Sequence, residues 1–495
     1  MKRIQSLLIV ASALLAACSD ASPEVSAEPS SVAFPKGMLW GAATAGFQVE
    51  KGLANTDWGI FAGLPGTIQK SGKPDDGPDA LAHIDEDVAA MTGAGFNAYR
   101  LSIELARIYP DRKSFDDDAP SAEGLAAYDA LFASLNKAKV APMVTLHHFV
   151  WPSYMSDPSK KKEPQGWERD DATQVFTEWC TRMGKRYGDR ADLWVTINEP
   201  NVEASVGYLA GKFAPGVVDV ERMATVMRNQ VEAHARCFDA LHAADTTDVD
   251  NDGKPALVGI AQHQRVYEPA DPTNEEDVVA AEHSRYAWNL WIMNGIVRGE
   301  VDDDFDGTPE KTDPMRVGRA DFFGLNYYGV SRVAAASLRV KYLGSVPLQQ
   351  NLPTERPKAD NGWDIYPRGF ATVLDEAAGY GLPIYITENG IADETDVNRS
   401  RFVAEHLFEL GKAQTRGADV RGYLHWSLMD NFEWAAGFCP RFGLYRVDYT
   451  DPLRARTPTK AVSLLKDVAA SNALDKATID ALPAYTSQPF PCASF

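Results

Sequence analysis

Residues 193–200 (LWVTINEP) and 384–390 (IYITENG) are built alike: an apolar, β-branched run, then a Glu beside an Asn, then a residue that stops a strand, Pro200 or Gly390. A continuous apolar run of this length suits a strand covered on both faces, as in a parallel sheet. A carboxyl group at the end of such a strand is costly to keep unless it has a task. Six further runs of this kind lie at residues 39–45, 96–102, 140–147, 257–263, 322–327 and 420–426. Helical patterns stand between them. In residues 170–186, acids come first, apolar residues share one face and bases come last; residues 369–379 (GFATVLDEAAG) form another. Strand–helix alternation implies a parallel sheet, and eight units fit an α/β chain forming a single (β/α)8 barrel with long βα loops. Catalytic groups of such barrels project from the C-terminal strand ends, which places Glu199 and Glu388 on one face. Solvated loop acids are the plain alternative in a chain with 69 Asp and Glu.

Two facing carboxyls suit glycoside hydrolysis, one working as acid and base while the other attacks or activates water. Composition agrees with a neutral substrate. The 495 residues carry 49 Lys and Arg against 69 acids, a formal charge of −20, which disfavours nucleic acid and strongly anionic partners. The 45% hydrophobic and 24% charged content excludes a disordered chain. Eleven Trp, 18 Tyr and 21 Phe suit sugar stacking or simply a large core.

The matching segments FPKGMLWGAATAGFQVE (34–50), YRLSIELARIYP (99–110), VTLHHF (144–149), VTINEP (195–200), FFGLNYYG (322–329), GWDIYPRGF (362–370), PIYITENG (383–390) and HWSLMDNFEWAAGFCPRFGLYRVDY (425–449) follow one another in the order found in the glycoside hydrolase family 1 β-glycosidases, which the chain resembles over about residues 34–465. The resemblance implies a retaining, exo-acting enzyme that removes terminal β-linked sugars, glucose before galactose or fucose, from β-glucosides or cello- and laminari-oligosaccharides. It implies Glu199 as general acid/base and Glu388 as nucleophile. Arg100 and Tyr328 resemble the groups that hold the nucleophile; Asn326 and Phe442 either support the pocket or pack in the core. Asn198 resembles the donor to the sugar 2-hydroxyl; Gln48, His148, Glu433 and Trp434 resemble the ligands of the other hydroxyls; Trp426 resembles the floor under the ring. Glu433 suits a neutral sugar, since a carboxylate accepts from two hydroxyls. His147 reads as packing, because it points opposite to its neighbour in a strand. Three positions depart from the family pattern, Val49-Glu50-Lys51, Phe149 with Val150-Trp151-Pro152, and Leu105, and the first two bear on the leaving-group side. An endo-glucanase on the same barrel, which lacks the Gln48 and Glu433-Trp434 closure, and an inactive sugar-binding surface protein are the rival readings.

The N-terminus, MKRIQSLLIVASALLAACSD, has a basic start and an apolar stretch too short to span a membrane. Leu15-Ala16-Ala17-Cys18 resembles a bacterial lipobox, so residues 1–17 read as a signal peptide and Cys18 as the lipidation site. Ser19 then points to the outer membrane of a Gram-negative envelope. Residues 18–32 read as a flexible tether, 33–470 as the glycosidase domain and 471–495 as a tail. Residues 335–360 read as a long loop over one barrel mouth. Cys439 and Cys492 offer a bridge that pins the tail, and Cys180 and Cys237 are either buried thiols or a helix–helix bridge. No cofactor is required. Asp248-x-Asp250-x-Asp252-Gly253 and Asp302-x-Asp304-x-Asp306-Gly307 match the start of a calcium loop, the second with Asp313 at position twelve. The alternatives there are structural calcium and solvated acidic loops, both placed away from the two Glu motifs in sequence.

Overall fold

In a computed structural model of the chain, residues 28–69, 72–335, 352, 354–487 and 492 are described. Eight strands close into a parallel barrel: β1 (Leu39–Ala43), β2 (Ala98–Ser102), β3 (Ala141–His147), β4 (Leu193–Asn198), β5 (Leu257–Pro269), β6 (Phe322–Val333), β7 (Ile384–Asn389) and β8 (Val420–Trp426). Each strand pairs with its neighbours in sequence, and β8 returns to β1. All eight expected runs are strands. β5 and β6 run on for about six residues past their expected ends and pair with each other as far as Pro269 and Val333. Polar residues along these extensions hid them from an apolar pattern, because they pair above the barrel rim.

Helices cover the barrel through apolar stripes. Helix Ala172–Tyr187 buries Val175, Phe176, Trp179, Cys180 and Met183 on one face, the spacing of an amphipathic helix. Lys185 and Arg186 sit in its last turn, where cations complement the exposed carbonyls. The next helix, Val220–Ala244, starts at Asp219, whose side chain accepts from the amides of Glu221 and Arg222. The two helices are joined by a Cys180–Cys237 disulfide, so the bridge and not the free thiols is realised. Cys439 and Cys492 form the second disulfide.

Both expected domain edges shift. Ser31–Ala33 pairs antiparallel with Ala473–Asp475, so the last residues assigned to the tether and the first assigned to the tail form one small sheet. Val32 and Leu474 are its buried residues, with Val32 packed on Gly411. Three residues are too few to show a period in the sequence. The tail continues as helix Lys476–Asp480, and Thr486 exchanges two hydrogen bonds with Asn398. The signal segment with Cys18 and most of the loop expected at 335–360 lie outside the described residues. No helix among those described is long and apolar enough to cross a membrane.

Candidate active site

β4 and β7 deliver their carboxyls in the same way. In each, the pairing register shifts just before the Glu, between Val195 and Asn198 on one side and between Ile386 and Glu388 on the other. Such an irregularity turns a side chain that a regular strand would direct elsewhere. Glu199 has a left-handed backbone (φ 42°, ψ 58°), and Pro200 opens the short helix behind it. Phe149 and Trp434, both lining the same cleft, also have positive φ (66° and 47°). Non-glycine residues in this region cost about 1–3 kcal/mol each and cluster where function requires them. Gly390 ends β7 under Trp426, where a Cβ would lie 1.8 Å from the Trp426 carbonyl oxygen. No side chain fits at that approach.

The surroundings of the two carboxyls differ. Glu388 receives Arg100 Nη1 on Oε1 at 2.6 Å and the Tyr328 hydroxyl on Oε2 at 2.7 Å. Arg100 is fully buried and its Nη2 donates to Asn198 Oδ1 at 2.6 Å. Among the described residues, the Glu199 carboxyl receives only the amide of Asn326, at 2.8 Å. Asn326 is oriented by Thr387, whose hydroxyl donates to its Oδ1 at 2.6 Å. Burial raises the proton affinity of both carboxyls. For Glu388, Arg100 and Tyr328 pull it back. For Glu199, the nearby charge of Glu388 adds to burial and pushes it well above the carboxylate range. One proton shared by this pair therefore resides on Glu199.

The far end of the cleft is polar over an aromatic floor. Gln48 Nε2 donates to the Phe432 carbonyl at 2.9 Å, to Asn431 Oδ1 at 3.1 Å and to Glu433 Oε2 at 3.3 Å. Gln48 Oε1 is buried with no partner among the described residues. Burial, then the Glu388 charge, raises the Glu433 carboxyl to about 8. His148 lies between Trp426 and Trp434, with ring centroids 5.8 and 5.9 Å away. Since the Arg100 guanidinium only donates, Asn198 must turn its oxygen toward Arg100 and its NH2 toward His148 Nε2, 3.0 Å away. His148 therefore accepts at Nε2 and carries its proton on Nδ1, which is buried without a partner among the described residues. Burial and Arg100 keep this ring neutral.

The structure thus gathers Gln48, Arg100, His148, Asn198, Glu199, Asn326, Tyr328, Glu388, Trp426, Glu433 and Trp434 at one mouth, around a cavity of about 630 Å³. Phe442 lines it as well. His147 points away, to Glu203 at 3.1 Å, in a shell of Trp151, Trp167 and Phe176. Glu203 was not legible in the sequence; it also accepts from Trp167 Nε1 and Gln230 Nε2, both at 2.9 Å, and locks the wall behind His147. Of the departures from the family pattern, only Phe149 lines the cleft. Glu50 is instead buried against Arg107 (2.7 Å) and the Tyr128 hydroxyl, and Leu105 is core.

The acidic loops differ from expectation. Asp302 and Asp304 converge with Glu310, not with Asp313. Asp313 accepts from the Met315 amide and pairs with Arg316. Asp248 and Asp250 converge with Asp192, the residue before β4. Each loop's acids also accept amides of their own loop, such as Gly253 and Gly307. The second loop is not remote from the cleft, because its Phe305 lines the cavity.

Residues 30–474 match Glycosyl hydrolase family 1. The chain belongs to that family. It is 32% identical to a β-galactosidase of Pyrococcus woesei, over 90% of this chain and 98% of that one. It is 31% identical to β-glucosidase A of Thermotoga maritima, over 85% and 94%. The solved family 1 β-glucosidase of Thermotoga maritima superposes with a TM-score of 0.79 at 29% identity, covering 90% of this chain and 99% of that one. The protein is a family 1 O-glycosyl hydrolase that takes β-glycosides. The expectation of glucose before galactose is not resolved by these family 1 relatives, which carry both names.

Proposed function

We propose that the protein is an exo-acting β-glucosidase working by double displacement, with Glu388 as nucleophile and Glu199 as acid, then base. The asymmetry between the two carboxyls carries this reading. Glu388, held by Arg100 and Tyr328, is the ionised partner and attacks the anomeric carbon. Glu199 holds the proton and gives it to the leaving oxygen, and a glycosyl ester on Glu388 results. Glu199, now ionised, takes a proton from water, which displaces the sugar and frees Glu388. Once Glu388 is esterified its charge is gone, which lowers the proton affinity of Glu199 and lets it change role.

Exo action is supported by Gln48 and Glu433, which close the cleft beyond His148 and Trp426, where an endo-cleft stays open. Gln48 Oε1 is left to accept, and the Glu433 carboxyl accepts and, while protonated, donates, so the two answer neighbouring hydroxyls as a neutral hexose needs. Galactoside or fucoside cleavage is the second reading, favoured by the β-galactosidase relatives. A rate panel of aryl β-glucoside, β-galactoside and β-fucoside decides among them; a kcat/KM highest for the galactoside would replace glucose. In Glu388→Gly, hydrolysis of aryl β-glucosides falls by at least about 10⁴-fold. Azide restores turnover there with the α-glycosyl azide as product. Wild-type rates in that variant would remove the nucleophile assignment.

We also place the protein on the cell envelope through lipid on Cys18, on the strength of the LAAC motif and the short apolar stretch before it. Cys18→Ala releases the enzyme into the soluble fraction; unchanged membrane retention would end this reading.

A further inference from the structure

The cavity does not stop at the sugar end. Past Glu199 it continues between the segment Pro200–Leu209, helix Val220–Ala244 and the loop after β5, lined by Val206, Leu209, Met223, Met227 and Phe305. Val218 stands 75% exposed at its mouth. This is the side on which a leaving group must lie, since Gln48 and Glu433 close the other. It is a nearly apolar channel, with two cations set in it. Arg265, on β5, lines the channel. Its backbone is clamped by Asn289, which accepts from the Arg265 amide at 3.1 Å and donates to its carbonyl at 2.9 Å. Its guanidinium has no hydrogen bond or ion pair among the described residues, and its Nε is buried. Lys212 lines the rim, exposed and without an ion pair among the described residues.

In a chain with 20 more acids than bases, a cation without a carboxylate partner runs against the odds. Arg265 is half-buried, and holding its Nε out of water without a partner is costly unless something answers it. Among the channel's lining residues the acids are Glu199, Glu388 and Glu433; Glu199 acts on Arg265 through its charge but makes no ion pair or hydrogen bond with it. The planar fork of an arginine matches a carboxylate through two parallel hydrogen bonds, which a lysine does not offer.

Resting on the β-glycosidase reading above, we infer that the leaving-group channel selects aglycones that are apolar and carry one anionic group, an aryl or alkyl acid, with Arg265 as the specificity-determining residue and Lys212 as a second attraction at the rim. The sugar stays neutral and the charge is on the part that leaves. Overall net charge sets only the distant field; inside the channel the two cations decide. The anion plays no part in deglycosylation, because the aglycone has departed by then, so its effect falls on kcat/KM.

The test compares 4-carboxyphenyl β-glucoside with its methyl ester, in wild type and in Arg265→Gln, Arg265→Lys and Lys212→Gln. Taking the ratio of acid to ester within each protein cancels the intrinsic reactivity of the two phenols on going from wild type to variant. The acid-to-ester ratio of kcat/KM falls about 10- to 100-fold in Arg265→Gln, less in Arg265→Lys, and least in Lys212→Gln. In wild type the ratio declines as salt is raised, and free 4-hydroxybenzoate competes with substrate. A 4-sulfophenyl β-glucoside separates a carboxylate preference from a general anion preference: the first predicts a lower rate than the carboxylate, the second an equal one. An acid-to-ester ratio unchanged in Arg265→Gln, with no salt dependence in wild type, overturns the inference and leaves the glycosidase reading standing. No turnover of either glucoside by the wild type would instead count against that reading itself.

Discussion

Glu199 and Glu388 are one residue type in one barrel mouth, and what separates them is hydrogen-bond count. Glu388 accepts from a guanidinium and a phenol, Glu199 from one amide. The pH profile follows. Activity falls at low pH as Glu388 takes a proton and at high pH as Glu199 loses one. Glu199→Gln leaves the acid limb and removes the alkaline limb when the leaving group is a good one; an alkaline limb that persisted would move the acid role elsewhere. Glu433 shows the cost of a binding site. Its carboxyl is raised from 4.5 to about 8, so the folded chain keeps it protonated while the unfolded chain ionises it. That difference lowers stability as pH rises from about 4.5 to about 8, since the unfolded state binds fewer protons across this window. Glu433→Gln therefore raises Tm at pH 7.5 and leaves it unchanged at pH 4, while kcat/KM falls. Equal Tm shifts at both values would contradict the proton argument. At this scale the sequence showed the two Glu motifs because a carboxyl at the end of an apolar run stands out. It did not show Glu203 or Arg265, whose neighbours in the chain are ordinary and whose partners come from distant segments.

Among the elements, the strands were legible and their ends were not. β4 and β8 fall on the expected residues because apolar character stops where pairing stops. β5 and β6 continue in polar sequence, and Arg265 sits in that continuation. The register shifts that aim Glu199 and Glu388 leave no composition signal either. The helix pair Ala172–Tyr187 and Val220–Ala244 is tied by Cys180–Cys237 across a separation of 57 residues. Closing a loop of that size in the unfolded chain contributes about 4 kcal/mol by the chain-entropy estimate. Replacing both cysteines by Ala lowers Tm, with activity at 25 °C retained, because neither cysteine touches the cleft. A loss of activity without a loss of Tm would mean that the pair acts on the site. The second helix also supplies Met223 and Met227 to the channel wall, so the bridge anchors the element on which the leaving group rests.

The described residues form one barrel, and the segments that flank it are joined by the sheet between Ser31–Ala33 and Ala473–Asp475. The fold class, the order of the strands and the location of the catalytic mouth were available from alternation and from the resemblance to family 1. The pairing of these flanking segments was not, because three-residue strands carry no period. Charge reads differently at this scale. The −20 surface argues against anionic macromolecules, yet the channel keeps one cation, Arg265, within it and another, Lys212, at its rim, neither in an ion pair among the described residues. A distant field and a local site answer different partners. Double displacement requires covalent chemistry at one carboxyl. The most direct measurement is trapping with a 2-deoxy-2-fluoro-β-glucoside that carries an activated leaving group, followed by peptide mapping. The account predicts one fluoroglucosyl ester per chain, on Glu388 in the peptide that holds IYITENG. A label on Glu199 or Glu433, or turnover with inversion and no label at all, would contradict it.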